Sequence, residues 1–338
     1  MNLKDNQKYL FLVYILLSLS SCSSYKNITY NILKPAEITI SPEISSVSLI
    51  NNIFPTNPDS IAVLTEYPDN MNINQVASVE CFMGLYNNLL ESEKYKRIVV
   101  PILNFDVVEN IIDWKALKEI CSFDTTDAVI IIYDIEHFIF SNYNVDYIDE
   151  TNRADNNILY TEYLFVKITS SWMLINPFNK TVINFSTISD TITWSGKENN
   201  LGQTIEELTD TNSAILKVAN YNGMHYCKRI SPYWKSVTQE IYVGNNTDFI
   251  KAYQLADSNN WKAAAEIWEK YVNYPNVKIA KNARLNLAIS YEMRGILWKA
   301  RLWSLRTYRE FKNERAFEYS NYLFNRMKDM EKIKKQMP

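Results

Sequence analysis

The chain has 338 residues, a net charge of −3 at pH 7 and 47% hydrophobic residues, the composition of a folded protein long enough for two domains. It contains no long basic block, which argues against a nucleic-acid partner. Only six glycines are present, and none belongs to a glycine-rich phosphate loop.

Near the start of the chain, two lysines, Lys4 and Lys8, precede a segment from Tyr9 to Leu19 that is apolar apart from Ser18. A membrane-spanning helix needs about 20 apolar residues, so this segment is too short for one. The small residues Ser20 and Ser21 come next. The order basic, apolar and small predicts a secretory signal peptide over residues 1–21.

The tetrapeptide Leu-Ser-Ser-Cys that ends at Cys22 resembles a bacterial lipobox. This resemblance implies lipidation of Cys22 by a diacylglyceryl group and an N-acyl chain such as palmitate, and more than one chain gives stable anchoring. The residue after the cysteine is Ser23 and not the aspartate that retains a lipoprotein in the inner membrane. The acidic run that directs some lipoproteins to the cell surface is also missing. We therefore expect a lipid-anchored protein at the outer membrane, facing the periplasm. An ordinary signal peptide before a chance cysteine is the alternative.

The polar residues 22–34 are predicted to form a tether, and a mixed-sheet α/β domain is predicted over residues 35–244. Alternation and helical spacing predict its short elements. The predicted elements are strands at Glu37–Ile40 and Ser46–Asn51, an irregular stretch around Pro55, Pro58 and Pro68, a helix from Asn74 to Ser92, a strand at Lys96–Pro101, and a helix capped by Asp113.

The second half of this domain is dominated by long strands. An unbroken apolar run opens the segment Asp127–Phe140 and is typical of a strand buried on both faces. Alternation over Thr161–Ile175 and Lys180–Trp194, with a turn at Asn176, predicts a long β-hairpin. A helix over about Ile205–Arg229 and a last strand, Gln239–Gly244, complete the prediction. The element order resembles the domain of curli-secretion and penicillin-binding-protein-activator lipoproteins.

An all-α domain is predicted over residues 247–335, so the fold class is α+β. Its two helix–turn–helix units are offset by 36 residues, and both resemble the tetratricopeptide repeat of about 34 residues. A capping helix over 314–335 follows. An unrelated helical hairpin array is the alternative. The residues predicted to pack the repeats are Ala252, Ala264, Trp268, Leu287, Ala288, Tyr291, Gly295 and Ala300.

The arrangement as a whole resembles an uncharacterised family of Bacteroidetes outer-membrane lipoproteins. These proteins have a lipobox, an α/β body, a segment like "RISPYW", and a closing helix pair with "NNWKAAAEIW" and "NLAISYE" motifs. The resemblance implies the domain order given above and no particular activity.

No catalytic residue and no metal or cofactor site is predicted. His225 and Cys227 are two positions apart on a predicted helix, which puts them about 200° apart, so they cannot share a metal. His137 lies in a mostly apolar strand. Asp134 and Glu136 share a strand face, and such a carboxylate pair could serve a glycosidase, although exposed strand carboxylates are the commoner case.

Three cysteines remain beyond the lipidated one, at positions 81, 121 and 227. An odd number cannot all pair within one chain. Buried free thiols are the favoured interpretation, and a bridge between Cys81 and Cys121 is the alternative.

The predicted function is a non-enzymatic envelope lipoprotein that binds or scaffolds a protein partner through its helical repeats. The tryptophans Trp261, Trp268, Trp298 and Trp303 suit either a core or binding hot spots. The competing hypothesis is an envelope hydrolase or glycan-binding protein that uses the α/β domain and its hairpin.

Overall fold

The structure is a computed structural model, and it describes residues 24–53, 71–101, 112–147, 158–198 and 210–337. An N-terminal mixed-sheet α/β region is followed by an all-helical region, so the predicted α+β class is confirmed. The predicted signal peptide, Cys22 and the proline-rich stretch around Pro55 lie outside the described residues.

Seven strands and eight helices occur in the described residues. In chain order they are β1 (Tyr25–Lys34), β2 (Ser46–Asn51), α1 (Ile73–Glu91), β3 (Arg97–Val99), α2 (Trp114–Asp124), β4 (Ala128–Tyr147), β5 (Ile158–Asn176), β6 (Thr181–Glu198), α3 (Thr211–Ile230), β7 (Tyr233–Tyr242), α4 (Thr247–Asp257), α5 (Trp261–Glu269), α6 (Val277–Met293), α7 (Leu297–Phe311) and α8 (Glu314–Gln336).

The chain divides into two compact units. The sheet unit comprises Leu33–Trp234 and Glu331–Pro338, and the helical unit comprises Lys235–Met330 with the described residues up to Ile32. No helix in the described ranges is long and apolar enough to cross a membrane.

The sheet unit is built on a five-stranded sheet in the order β3-β2-β4-β5-β6. The first three of these strands are parallel, and β4, β5 and β6 are antiparallel. The predicted β-hairpin is confirmed as β5 and β6. Ile130, Ile131 and Ile132 at the start of β4 are at most 1% exposed, as expected for a strand covered on both faces.

Helices α1 and α3 cover one face of this sheet, and their crossing is unusually close. Gly84 on α1 and Gly223 on α3 make it possible, because a Cβ atom on Gly223 would lie 1.8 Å from the carbonyl oxygen of Cys81. Helix α2 packs on the other face through Leu117 and Ile120, and Asp113 caps its first turn as predicted.

Helices α4 to α8 form the helical unit, together with a two-stranded sheet of β1 and β7. Their common core includes Ile28 from β1, Ile241 from β7, and Phe249 and Trp268 from the helices. Asparagine side chains cap four of these helices, because an asparagine oxygen accepts hydrogen bonds from unpaired N–H groups of the first turn. They are Asn246 before α4, Asn260 before α5, Asn276 before α6 and Asn313 before α8.

The structure corrects three sequence predictions in these regions. Most of the predicted tether forms strand β1, because its alternating Ile28 and Ile32 enter buried positions. The predicted last strand is confirmed as β7, but it begins earlier, at Tyr233, and it pairs with β1 and not with the five-stranded sheet. Glu37–Ile40 form no strand, because the N–H groups of Glu37 and Ile38 donate to the carbonyl oxygens of the last turn of α3.

Candidate functional site

The predicted repeat-packing residues are mostly in the core of the helical unit. Ala252, Ala264, Ala288 and Ala300 are fully buried, as are Trp268 and Leu287, and Tyr291 is half-buried against the same core. Gly295 does not pack. It has a φ of +74° in the turn after α6, and no atom lies within 4 Å of a Cβ built on it, so its role is to form this turn.

The four tryptophans named from the sequence divide into two pairs. Trp261 and Trp268 are 4% and 0% exposed and belong to the core. Trp298 is 58% exposed, and Trp303 lines a cavity. Tryptophan is enriched among the residues that contribute most to the binding energy of protein interfaces.

Trp298 begins a row of exposed side chains along α7, with Leu302 four residues later and Arg306 and Arg309 beyond. At 100° per residue, Trp298, Leu302 and Arg309 lie within about 40° of one another around the helix, and Arg306 lies within about 80° of Trp298. The row covers about 17 Å of the helix axis. We call Trp298, Leu302, Arg306 and Arg309 the α7 surface.

A cavity of about 560 Å³ adjoins the basic end of the α7 surface. Its lining residues are Asn273, Arg284, Trp303, Arg306, Arg309 and Glu310. The guanidinium of Arg306 lies 5.5 Å from the centroid of the Trp303 ring. The cavity therefore combines an aromatic wall with three positive charges and a single carboxylate.

Arg284 is the fixed element of this cavity, since its side chain is only 6% exposed. Its Nε donates to the carbonyl oxygen of Val272 at 2.7 Å, and one Nη donates to Asn273 at 3.1 Å. Both Nη atoms bind the carboxylate of Glu310. These hydrogen bonds lower the pKa of Glu310, so the pair remains ionised at neutral pH.

Arg306 and Arg309 complete the charge of the cavity. Both are exposed, and within the part of the chain that the structure describes neither forms an ion pair with an acidic side chain. Because Glu310 is held by Arg284, the charges of Arg306 and Arg309 are available to an anionic group. Unpaired arginines beside exposed apolar side chains suit a partner with both apolar and acidic residues.

A second polar cluster in the helical unit is internal. The side chain of Glu292 is 1% exposed, and it accepts hydrogen bonds from the hydroxyls of Tyr30, Tyr319 and Tyr322 at 2.8, 2.6 and 2.9 Å. Arg326 lies 3.5 Å from the same carboxylate. Burial is the main cause that raises the pKa of each tyrosine. The cluster therefore fixes β1 and α8 to α6.

The sheet unit contains a polar chain that reaches its surface at His225. Nδ1 of His225 lies 3.0 Å from Asp190, Asp190 accepts from Asn222 at 2.8 Å, and Asn222 accepts from Ser170. Cys227 is 1% exposed and lies about 200° from His225 around the axis of α3. His225 and Cys227 are thus not brought together. The described residues contain no group of three His, Cys, Asp or Glu side chains that could hold a metal ion.

The other polar residues singled out from the sequence are dispersed. His137 contacts Asn74 at 2.6 Å. Asp134 and Glu136 are exposed on β4. Cys81, Cys121 and Cys227 are free and buried, which confirms the favoured interpretation of these thiols.

The outer face of the long strands carries exposed aromatic side chains. Phe138 and Phe140 are 61% and 50% exposed. Beside them lies a cavity of about 460 Å³, which is lined by Glu136, His137, Phe138, Lys167 and Thr169. Aromatic rings next to hydroxyl and charged groups are a surface that could hold a sugar. Among the described residues, Glu136 is the one carboxylate that lines this cavity.

Comparisons with known proteins give two family matches along the chain. The family "Domain of unknown function (DUF8603)" matches residues 44–242, and the family "Domain of unknown function (DUF6340)" matches residues 250–332. No curated protein sequence matches the chain.

Two solved structures are similar at low sequence identity. One is a PelC dodecamer from Paraburkholderia phytofirmans, which is 14% identical over 61% of this chain and 99% of that chain, with a TM-score of 0.25. The other is a neuraminyllactose-binding hemagglutinin homolog from Helicobacter pylori, which is 13% identical over 67% of this chain and 96% of that chain, with a TM-score of 0.27. TM-scores this low do not establish a common fold.

Proposed function

The chain belongs to the family of the domain of unknown function DUF8603, and we propose that it is a non-enzymatic, lipid-anchored binding protein of the bacterial cell envelope. Its helical unit binds a protein partner through the α7 surface. The observation that carries the proposal is the exposure of Trp298 on the same helix as the arginine cavity.

Several features support this assignment. Trp298 and Leu302 present apolar area that no described residue covers, since they are 58% and 38% exposed. Arg306 and Arg309 supply positive charge within about 17 Å along the same helix. Aromatic and arginine side chains dominate the energetics of protein interfaces. We therefore expect the partner to present an apolar segment flanked by carboxylates.

The cellular setting is part of the proposal. The lipobox-like sequence that ends at Cys22 supports acylation and an outer-membrane location facing the periplasm, as in the Bacteroidetes lipoproteins that the chain resembles. The buried alanines at the helix contacts support a tetratricopeptide-like helix pair. Acyl-chain labelling tests the anchor, because Cys22→Ser should abolish labelling and leave an unprocessed precursor. A mutant that still labels and fractionates with membranes would disprove it.

Site-specific photo-crosslinking in intact cells tests the partner site. A photoreactive amino acid in place of Leu302 should capture one discrete partner, and the same group at Phe123, which is 81% exposed in the sheet unit, should not. Adding Trp298→Ala or Arg306→Glu should reduce the Leu302 crosslink at least several-fold. An equal crosslink pattern at both positions, or one that neither substitution alters, would exclude the α7 surface as the binding site.

A glycan-binding role of the sheet unit is a second candidate. The exposed Phe138 and Phe140 beside Glu136, Lys167 and Thr169 favour it, because sugar rings stack on exposed aromatic faces while their hydroxyls bond to polar side chains. Binding of envelope polysaccharide that is lost in Phe138→Ala, and retained in Trp298→Ala, would select this function over protein binding.

A further inference from the structure

The first described residue of the chain is held firmly by the helical unit. The carbonyl oxygen of Ser24 accepts hydrogen bonds from the N–H groups of Val243 and Gly244, at 2.9 and 3.1 Å. Tyr25 packs edge-on against Tyr242 with 5.3 Å between ring centroids. Strand β1 therefore begins at a fixed position on the helical unit, at the turn that follows β7.

Only Ser23 separates Ser24 from Cys22. A fully extended chain covers at most about 3.6 Å per residue, so the Cα atoms of Cys22 and Ser24 lie no more than about 7 Å apart. The headgroup layer on each side of a bilayer is about 5–7 Å thick. An acyl group on Cys22 therefore leaves Ser24 no room to move away from the headgroups.

We infer that the helical unit itself lies on the membrane, with its Ser24–Gly244 end in the headgroup layer and Lys26 and Lys278 against the lipid phosphates. This inference rests on the proposed acylation of Cys22. In this arrangement no tether separates the lipid anchor from the folded protein, and the helical unit is in direct contact with the lipid surface.

The chemistry of this end suits such a surface. Lys26 and Lys278 are exposed, and their Nζ atoms lie 5.0 Å from the ring centroid of Tyr253 and 5.9 Å from that of Tyr242. Tyrosine and lysine are typical residues of the membrane interface, because a lysine stem lies along apolar surface while its ammonium group reaches a phosphate. Asp248, a carboxylate near this end, is engaged by the Tyr271 hydroxyl at 2.7 Å.

Immersion of a spin label at Lys278→Cys tests the inference on the full-length acylated protein. The protein is inserted into vesicles of phosphatidylethanolamine and phosphatidylglycerol, and collisions of the label with lipid-soluble oxygen and a water-soluble nickel chelate are compared. The native thiols should not interfere, because all three are buried and burial raises the pKa of Cys121 to about 11 and that of Cys227 to about 12.

The matched control carries the same label with about 12 Gly/Ser residues inserted between Ser23 and Ser24, a linker with a reach of about 19 Å. We expect the label on the native spacing to be several-fold less accessible to the nickel chelate than the label on the extended spacing. A label at Lys26→Cys should show the same difference in accessibility. Agreement between the two positions would show that the result is not specific to the surroundings of Lys278.

Equal accessibility with and without the insertion, in protein whose acylation is verified by mass spectrometry, would overturn the inference and leave the anchor intact. Protein that carries no acyl chain would overturn both together. Crosslinking of a partner at Leu302 is measured in a separate experiment. Absence of that crosslink would therefore count against the protein-binding function alone.

Discussion

The hydroxyl of Tyr30 on β1 donates a hydrogen bond of 2.8 Å to the carboxylate of Glu292 on α6, across 262 positions of the sequence. The same carboxylate also accepts hydrogen bonds from the hydroxyls of Tyr319 and Tyr322 on α8. One buried charge thus joins three elements of the helical unit. A strand that the sequence suggested to be a tether is attached to the core of the helices.

Tyr30→Phe should lower the free energy of unfolding of the helical unit by about 1.5–3 kcal/mol, because it removes one hydrogen bond from a buried charged acceptor. Tyr274→Phe, at a tyrosine that is 45% exposed, should change it by less than about 0.5 kcal/mol. Urea unfolding of both variants measures the difference. Identical unfolding midpoints would mean that the Tyr30 hydroxyl contributes nothing to the attachment of β1.

The two classes of tryptophan should respond differently to truncation. Trp268→Ala removes a fully buried indole and should cost about 3–5 kcal/mol. Trp298→Ala removes an exposed one and should leave the melting temperature nearly unchanged while it weakens partner binding. Calorimetric melting of the two variants decides, and comparable destabilisation by both would place Trp298 among the structural residues.

The alanines at the helix contacts should reject a larger side chain. Ala264 and Ala300 are 0% exposed, so replacement by leucine must separate the helices, at a cost of about 1–3 kcal/mol each. Ala263→Leu, on the half-buried neighbouring position, is the control and should be closer to neutral because both residues are good helix formers. Three equal melting temperatures would argue against a tight contact at these alanines and against the tetratricopeptide-like register.

The two glycines of the α1–α3 crossing should not accept a methyl group. A Cβ atom at Gly223 would lie 1.8 Å from the carbonyl oxygen of Cys81, and one at Gly84 would lie 2.0 Å from that of Asn220. Backbone cannot yield as a side chain does, so Gly223→Ala should cost more than about 4 kcal/mol or prevent folding.

Gly295→Ala is the contrasting substitution. Its φ of +74° is strained for alanine, but open space surrounds the added methyl group, so the cost should be about 1–2 kcal/mol. Circular dichroism and thermal melting of the two alanine variants test the contrast. A well-folded Gly223→Ala protein with near-normal stability would show that α1 and α3 are not in close contact at this point.

Lys94 should give the sheet unit a distinctive dependence on pH. Its side chain is buried, and its Nζ donates to the carbonyl oxygens of Gln336 and Ile40 at 2.9 and 3.3 Å. Burial lowers the pKa of Lys94 to about 8. Between about pH 8 and 10.4 the unfolded chain therefore binds more protons at this lysine than the folded chain does, so stability rises with pH in that window.

The difference in unfolding free energy between wild type and Lys94→Met isolates this contribution, because the buried tyrosines and thiols titrate equally in both proteins. We expect the unfolding free energy of the wild type to increase relative to that of the variant as pH rises through that window, by at most about 3 kcal/mol. Urea titrations of both proteins at a series of pH values measure it. A difference that stays constant with pH would show that Lys94 keeps an ordinary pKa in the folded state.

Most elements of the fold were predictable because their signals are local. Alternation identified β5 and β6, and Asp113 marked the start of α2. Strand β1 shows the limit of such signals. Its alternating Ile28, Tyr30 and Ile32 were visible in the sequence, but the partner strand β7 lies some 200 residues away, and local patterns contain no information about pairing at that distance.

The candidate site was predictable only in part. The tryptophans were visible, but composition could not say which of them the helices would bury. Arg284 lies between Ala283 and Leu285 on α6, and these apolar neighbours are a signal that could have suggested a buried charge in need of partners. Its partner Glu310 and the neighbouring Arg306 and Arg309 become a cavity only when α7 packs against α6, which is a property of tertiary packing.

The pairing of β1 with β7 also sets an order of events during biosynthesis. A ribosome adds about 5–20 residues per second, so roughly 10–40 seconds separate the synthesis of the two strands. Throughout that interval β1 has no strand to pair with, although it is the first described element to be made. The two-stranded sheet of the helical unit can therefore form only after β7 has been synthesised as far as Tyr242, although its other strand is made at the start of the described chain.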